Sequence, residues 1–355
     1  MKINRLKKLA NYLLNPARTI ELFGMYDADN LGDEAMKIAG LVSLPRNKTV
    51  PVVGSGNSLL KAAIRRRRFR DIVVGGGTLI HGGRADGRNS WLEHVELRHR
   101  QGARVSLLGT GISFLEEQIT APSDSVVRWS EIMKRAAHVG LRGPLSQATA
   151  ARLGVSASIF GDAAFLLYDA ALAENWQAGH ARGQQFFGIN VGEVLKGEAQ
   201  ARFESSFAEL LVHLSGRFRL RLFVVNPEDY EACLRVAQQS GLSQDRYEIV
   251  CNYRDAQLFM RQAAECVGFI GIRLHASGLA MAAGIPALLV AYLPKCRDFV
   301  LPIELDHALL ELPLNTEGLL AAADDLLARP AHYRNAKAIA AVSKAQYDTI
   351  QRLFG

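Results

Sequence analysis

The stretch that decides the fold is Gly268–Tyr292, which reads GFIGIRLHASGLAMAAGIPALLVAY. An apolar run ends at Ile272, a small-residue segment covers Ala276–Ala283, and a second apolar run covers Ala287–Tyr292 after a Gly-Ile-Pro turn. Strand, helix and strand within so few residues predict a tight βαβ unit, whose alanines and glycines let the helix pack closely on the sheet.

Two cationic residues stand where the first strand of this unit gives way to the helix. Arg273 and His275 fall at the predicted carboxyl edge of a parallel sheet, which is where open α/β folds bind ligands. The segment Cys266–Arg297 contains no Asp or Glu but also carries Lys295. Because a helix N-terminus favours negative charge, this element predicts an anion site. The alternative is a solvated edge arginine beside a hydrogen-bonded core histidine.

The same alternation of strands and helices extends through the 355 residues, 49% of which are hydrophobic. We expect an α/β protein with two doubly wound, Rossmann-like domains facing each other across a cleft, followed by C-terminal helices. The polar stretch AENWQAGHARGQ is the predicted interdomain linker. The expected divisions are a leader at 1–19, an N-terminal domain at 20–172, the linker at 173–184, a C-terminal domain at 185–327 and helices at 328–355.

The leader and the overall charge bear on the partners. Residues 1–18 alternate leucines with lysines and arginines at helical spacing, which fits either a helix on an anionic membrane surface or one docked on the protein itself. The net charge of +7 suits an anionic partner. The basic run Arg65–Arg68 lacks interleaved aromatics, so a solvated helix end is favoured over a nucleic-acid surface.

Cysteine usage and the start of the chain indicate the compartment. The four cysteines form no CxxC pair and have no histidines at zinc-ligand spacing, so we expect reduced thiols and no metal site. The leader lacks the uninterrupted apolar core of a signal peptide. These features predict a cytoplasmic protein, peripheral at the inner face of the plasma membrane if the leader binds lipid.

Three earlier features repeat the pattern of functional residues at strand ends. Asp71–Val74 runs into a glycine turn that fails the GxGxxG register, and no Walker motif occurs in the sequence. Arg142 ends a predicted strand just before Pro144 begins a helix, with a surface ion pair as the alternative role. Asp33 is placed to cap a helix from Glu34.

Taken in order, these motifs resemble those of the polysaccharide pyruvyl transferase family. The resemblance rests on Asn30–Ala35, Gly75–Leu79, Arg142 with Ser146, Asp162–Phe165, Arg273–His275 and Gly284–Pro286. It departs from the family pattern at Gly143, where an acidic residue usually follows the motif arginine.

The resemblance implies a GT-B-like fold and an activity. A pyruvyltransferase of this family takes phosphoenolpyruvate as donor and a sugar of an exopolysaccharide or lipid-linked glycan precursor as acceptor. It forms a pyruvate ketal across two hydroxyls and releases phosphate. Phosphoenolpyruvate is then a co-substrate, and no cofactor and no nucleic acid are expected.

Roles for individual residues follow from this chemistry. The donor carries a phosphate and a carboxylate, so Arg142 from one domain and Arg273 from the other are expected to clamp it across the cleft, with Ser146 on the donor side. His275 is the candidate general acid or a phosphate donor, and the sequence leaves both roles open. The expected acceptor-side residues are Asn30, Asp33, Gly76, Gly77 and His81, with Asp33 or His81 as the base.

Two other functions compete with this interpretation. A GT-B-type nucleotide-sugar glycosyltransferase commonly holds its donor with carboxylates on the C-terminal-domain helix, which Cys266–Arg297 lacks. A non-catalytic relative would hold glycans in a basic cleft without consuming phosphoenolpyruvate. The presence of Arg142, Arg273 and His275 together favours the enzyme.

Overall fold

A computed structural model describes residues 19–26, 28–54, 69–83, 89–114, 116–120, 122–180 and 186–355. The predicted basic leader and the run Arg65–Arg68 therefore lie outside the described residues. The chain forms two compact units. The first comprises the described residues up to Ala28, with Met36–Leu166 and Lys344–Gly355, and the second comprises Asp29–Ala35 with Leu167–Ser343.

The first unit is built on a parallel sheet in the order β2-β1-β3-β5-β7-β8, and a separate parallel pair joins β4 to β6. Its strands are β1 (Ile20–Phe23), β2 (Val52–Val53), β3 (Asp71–Gly75), β4 (Ile80–His81), β5 (Arg104–Thr110), β6 (Ile112–Ser113), β7 (His138–Leu141) and β8 (Ser158–Ile159). The order of the main sheet reverses between β1 and β3, which is the doubly wound arrangement expected from the alternating pattern.

The helices of this part of the chain are α1 (Leu31–Ser43), α2 (Ser90–Arg100), α3 (Glu116–Thr120), α4 (Asp124–Arg135) and α5 (Pro144–Arg152). An apolar cluster around Ile72, Leu107 and Trp129, none of them exposed, forms the core under α2 and α4. Asn89 caps α2 by accepting a hydrogen bond from the Leu92 amide at 3.1 Å.

The second unit contains a parallel sheet in the order β11-β10-β9-β12-β13-β14. Its strands are β9 (Phe186–Asn190), β10 (Arg219–Val224), β11 (Tyr247–Cys251), β12 (Cys266–Gly271), β13 (Ala287–Ala291) and β14 (Leu309–Glu311). This is the classical Rossmann order, and it reverses between β9 and β12. The carboxyl ends of those two strands therefore border the crevice where such sheets bind ligands.

The remaining helices surround this sheet or complete the chain. They are α6 (Ala170–His180), α7 (Glu198–Ser215), α8 (Asp229–Ser240), α9 (Ala256–Ala263), α10 (Leu274–Ala282), α11 (Pro294–Val300), α12 (Thr316–Ala328) and α13 (Ala336–Phe354). No helix among the described residues combines the length and the apolar character needed to cross a bilayer.

The predicted βαβ unit at Gly268–Tyr292 is confirmed as β12, α10 and β13. Gly278 on α10 faces Phe299, whose ring would come within 2.4 Å of an added Cβ atom, so the small side chain permits this close packing. Gly284 ends the helix with φ of 79°, a left-handed conformation that favours glycine. Ser277 donates a hydrogen bond to the Leu288 carbonyl at 2.8 Å and ties the helix to β13.

The chain passes between the units at Leu166 and Leu167, ahead of the linker predicted at 173–184. Most of that stretch belongs to α6, and residues 181–184 lie outside the described residues. Trp176 is 3% exposed and donates its indole N–H to the Cys266 carbonyl at 2.8 Å. One buried tryptophan thus anchors a segment whose polar composition had indicated a linker.

The C-terminal helices predicted at 328–355 are represented by α13, but its last part belongs to the first unit. Ile350 and Phe354 pack in the same apolar cluster as Leu22, and the Gln346 side chain donates to the Asp162 carbonyl at 2.8 Å. The preceding helix α12 is capped by Asn315, which accepts from the Gly318 amide at 2.7 Å.

Candidate active site

Asn190 organises the crevice between β9 and β12. Its side-chain oxygen accepts a hydrogen bond from the Arg273 amide at 2.9 Å, and its amide group donates to the Phe223 carbonyl at 2.9 Å. The side chain is fully buried, so it holds the ends of three neighbouring strands in a fixed relation. This side-chain amide therefore helps to position the backbone that carries Arg273 and His275.

Arg273 is held by a buried carboxylate. Its Nε and Nη2 atoms donate to Asp229 Oδ1 at 3.0 and 2.6 Å, and Asp229 also accepts from the Glu193 amide at 3.2 Å. Burial raises the pKa of Asp229, and the hydrogen bond and charge of Arg273 work in the opposite direction. The segment Cys266–Arg297 contains no acid, but an acid from elsewhere in the chain pairs with it, because the helix that follows β10, α8, begins with Asp229 at the same edge.

His275 lies in the first turn of α10 and is half-buried. Its ring meets Phe299 edge-on, with 6.2 Å between the ring centroids. On another side it lies against Gly32, where an added Cβ atom would stand only 2.0 Å from Nδ1. Only a residue without a side chain fits at Gly32 with His275 in this position.

The segment Asp29–Ala35 is part of the second unit and brings the first motif to His275. The Leu31 amide donates to the Val225 carbonyl at 2.9 Å, beyond the end of β10. Asn30 Oδ1 accepts from the Gly32 amide at 2.9 Å. The expectation that Asp33 caps a helix from Glu34 is wrong, because α1 already begins at Leu31 and its first turn includes Asp33.

Asp33 is the most perturbed acid of this site. The residue is 7% exposed, and burial raises its pKa from 3.8 to about 6. The charges of His275 and Lys295 lower the pKa, whereas Glu34 raises it. A carboxyl group whose pKa lies near neutrality beside an imidazole is typical of acid–base catalysis.

Lys295 is a site residue that the sequence showed among the cations of the acid-free segment but to which it gave no role. It lies at the start of α11, after β13, and its ammonium group stands 4.8 Å from the centroid of the Tyr292 ring. Its charge acts on Asp33. Its position at the end of the strand next to β12 was the signal that could have identified it, because parallel strands bring their carboxyl ends to one edge.

The first unit holds the other predicted donor residues. Arg142 is 2% exposed and donates from Nη2 to the Thr78 hydroxyl at 3.2 Å, and its Nη1 is 3.9 Å from Asp162 Oδ2. Gly111 makes room for it, since an added Cβ atom would stand 2.1 Å from Nη2. Ser146 accepts a hydrogen bond from the Ile112 amide at 3.0 Å.

The glycine turn and His81 also belong to the first unit. Gly76 and Gly77 have φ of 73° and 65°, and the Gly77 amide points at the Met36 sulfur at 2.9 Å. His81 Nδ1 accepts from the Gly83 amide at 3.1 Å, and burial lowers the pKa of His81.

The predicted site residues thus form two groups. The second unit brings together Asn30, Asp33, Arg273 and His275, and the first unit contains Gly76, Gly77, His81, Arg142 and Ser146. Asn30 and Asp33, which the sequence interpretation placed with the N-terminal domain, lie with His275 instead. In the described parts of the chain, no three His, Cys, Asp or Glu side chains are grouped to hold a metal ion.

Solved structures of other proteins share this architecture. A UDP-GlcNAc 2-epimerase from Methanocaldococcus jannaschii aligns over 95% of this chain and 99% of its own with a TM-score of 0.58 at 12% identity. An α,α-trehalose 6-phosphate synthase from Burkholderia multivorans aligns over 95% and 97% with a TM-score of 0.56 at 12% identity. The ADP-heptose lipopolysaccharide heptosyltransferase II of E. coli aligns over 88% and 99% with a TM-score of 0.51 at 12% identity.

These similarities establish a GT-B-type fold with two Rossmann-like domains, and at such identities they show the fold alone. Residues 30–294 match the model of the polysaccharide pyruvyl transferase family. The chain belongs to this family, and it is therefore a transferase. A comparison with curated protein sequences gave no match.

Proposed function

We propose that the protein transfers the pyruvyl group of phosphoenolpyruvate to two hydroxyls of a sugar in a lipid-linked or exopolysaccharide precursor. The observation that carries the proposal is the juxtaposition of Asp33 and His275, with Arg273 and Lys295 at the same sheet edge. Family membership supports the reaction class, and this group of side chains supplies the acid, the base and the cations that the reaction needs.

The reaction begins with proton transfer to the methylene carbon of phosphoenolpyruvate. Protonation leaves an oxocarbenium-like carbon, which a sugar hydroxyl attacks as it loses its proton to a base. A second hydroxyl then attacks the same carbon, the bond to the phosphate oxygen breaks and inorganic phosphate leaves. The second hydroxyl proton leaves with phosphate or with the base, so the products are the ketal and phosphate.

His275 is placed to interact with the donor in either of two ways. As an imidazolium it protonates the methylene carbon or donates a hydrogen bond to the phosphate. The N-terminus of α10 and the ammonium group of Lys295 add positive charge at the same edge, which favours an anionic donor. Arg273 contributes its guanidinium in an orientation that Asp229 sets.

Asp33 is the candidate base for the sugar hydroxyl. With a pKa of about 6, its carboxylate predominates at pH 7 yet remains basic enough to accept a proton during attack. Asn30 and Gly32 shape the turn in which it lies. The acceptor sugar is therefore assigned to the surface near this turn.

Arg142 and Ser146 enter the proposal as residues that shape the donor side of the first unit. Arg142 holds Thr78 at the end of the Gly75–Gly77 turn, and Ser146 holds the backbone at Ile112. Both side chains are 2% exposed and hold these loops through their hydrogen bonds, and the donor contact expected of them stays a prediction.

Phosphate release from phosphoenolpyruvate in the presence of a panel of lipid-linked oligosaccharides tests the proposal. We expect acceptor-dependent phosphate release with the wild-type chain and its loss in His275→Ala, with the same thermal midpoint in both. Phosphoenolpyruvate should also raise the thermal midpoint, since a ligand of the folded state stabilises it. Stabilisation by nucleotide sugars alone would favour a glycosyltransferase, and saccharide binding without phosphate release would favour a non-catalytic role.

A further inference from the structure

An exposed, bidentate ion pair borders the candidate active site. Arg254 donates from Nε and Nη2 to the two carboxylate oxygens of Asp29 at 2.6 and 2.7 Å, and the two residues are 225 positions apart in the sequence. Arg254 follows β11 at the carboxyl edge of the second sheet, with its guanidinium 5.5 Å from the centroid of the Tyr253 ring. Two parallel hydrogen bonds fix orientation as well as distance.

The backbone of Asp29 adds to this constraint. Its φ of 49° is left-handed, a conformation that aspartate tolerates better than most residues with a side chain. Two residues later the Leu31 amide is bound to the Val225 carbonyl at 2.9 Å. These two constraints fix the direction in which the chain runs after Asp29. Asp33 then lies in the first turn of α1.

We propose that Arg254 is a positioning residue whose ion pair with Asp29 holds the 29–35 segment on the second sheet, so that Asp33 stays buried beside His275. This inference rests on the proposed function for the catalytic roles of Asp33 and His275. The placement of the segment is a property of the protein without substrate, and it is measurable in that state.

The charged groups near Asp33 and its burial together determine how its pKa changes when the 29–35 segment is released from the sheet. His275 from α10 and Lys295 from α11 lower its pKa, and Glu34 from α1 raises it. Burial is the largest influence and raises the pKa. When the segment is released from the sheet, water reaches Asp33 and the pKa falls toward its ordinary value.

A direct ligand contact is the competing role for Arg254, whose side chain is 68% exposed. The two roles differ in what Asp29→Asn does. If Arg254 acts through Asp29, Asp29→Asn reproduces the effect of Arg254→Ala, because both remove the ion pair. If Arg254 binds an anionic ligand, Asp29→Asn frees the guanidinium and tightens that binding. Asparagine keeps the left-handed backbone accessible, so the substitution removes only the charge.

The first experiment measures the titration of the Asp33 carboxyl group by NMR in the full chain without substrate. In Arg254→Ala and Asp29→Asn we expect the pKa of Asp33 to be lower than its wild-type value of about 6, by the modest amount that the loss of one exposed ion pair allows. The Leu31 amide should exchange about two- to fivefold faster, as expected for the loss of one exposed ion pair. Arg202→Ala is the control, because it removes a still more exposed pair with Glu198 on α7, away from the 29–35 segment.

The second experiment measures phosphoenolpyruvate turnover against pH. In Arg254→Ala and Asp29→Asn the acidic limb of the kcat profile should move to lower pH. Arg254→Lys keeps the charge but not the bidentate geometry, so its acidic limb should lie between that of these variants and that of wild type. An unchanged Asp33 titration and unchanged Leu31 exchange in both variants would overturn the positioning role. If wild type consumed no phosphoenolpyruvate, the proposed function would fail while the NMR titration still decided the role of Arg254.

Discussion

The imidazole of His275 lies against the Cα atom of Gly32, so that any side chain at position 32 would collide with its Nδ1 atom. The two residues come from motifs 243 positions apart in the sequence. Their contact explains why a glycine follows Asn-Leu in the first motif, and it places Asp33, the next residue, beside the histidine.

Substitution of this glycine should impair catalysis by displacing the histidine. In Gly32→Ala the added Cβ atom would stand 2.0 Å from Nδ1, so the ring or the helix must shift. A displacement of about 1 Å at a reacting group costs on the order of 100-fold in rate, and we expect a loss of this size in kcat.

The control for this prediction is Gly216→Ala in the same unit. Gly216 has a right-handed helical backbone, and an added Cβ atom there would meet nothing within 4 Å. Its kcat should equal that of wild type. Near-normal kcat in Gly32→Ala would show that His275 does not need the position observed here.

Replacement of Asp33 by Asn should lower activity and change its dependence on pH. Loss of a general base typically costs about 10²- to 10⁴-fold in rate. In wild type the base must be ionised, so kcat/KM should fall as the pH decreases through about 6. Asp33→Asn should lack this fall in kcat/KM. If the variant kept the fall at the same pH, the titrating group would be a residue other than Asp33.

The same substitution should raise stability. Because the folded-state pKa of Asp33 lies above 3.8, the folded protein binds more protons than the unfolded chain between pH 3.8 and about 6. Ionisation of Asp33 therefore lowers stability as the pH rises through this window. Asp33→Asn should increase Tm by a few degrees at pH 8 and by less at pH 4.5. Asp306→Asn, at an exposed position, is the control and should leave Tm unchanged at both.

Arg273 and Asp229 should be strongly coupled. Removing Arg273 leaves a fully buried carboxylate without its cation, so Arg273→Met should destabilise the second unit more at pH 8 than at pH 5, where Asp229 is more readily protonated. A double-mutant cycle with Asp229→Asn, followed by urea unfolding, should give a coupling free energy on the order of 1–3 kcal/mol. Additive effects of the two substitutions would contradict the ion pair.

Breaking a buried charge cluster should strongly destabilise the first unit. Glu21 and Arg98 have no exposure, with Arg98 Nε 2.5 Å and His94 Nε2 2.8 Å from the Glu21 carboxylate. Glu21→Ala leaves the Arg98 charge buried without its partner, which typically costs about 3–5 kcal/mol. Urea unfolding measures this loss, and Glu131→Ala, which removes two exposed ion pairs, with Lys134 and Arg135, should cost less than about 1 kcal/mol. Equal losses of unfolding free energy in Glu21→Ala and Glu131→Ala would contradict a buried ion pair between Glu21 and Arg98.

Local patterns in the sequence predicted the elements that place the site. The apolar runs and glycines around Arg273 and His275 identified β12, α10 and β13. These features depend on neighbours within a few positions, so periodicity and turn residues report them. The polar composition of 173–184 predicted a linker, but Trp176 within this stretch is buried and hydrogen-bonded to the Cys266 carbonyl.

The sequence by itself determined that this protein has two doubly wound domains, that cationic residues stand at strand ends, and that its motifs belong to one family. Only the tertiary structure decided that Asp229 pairs with Arg273 and that Asp33 lies close enough to His275 for their charges to interact. The reason is that parallel strands from distant parts of the chain bring their carboxyl ends to one edge. Which side chains become neighbours there, and how much water they keep, depends on strand order and packing.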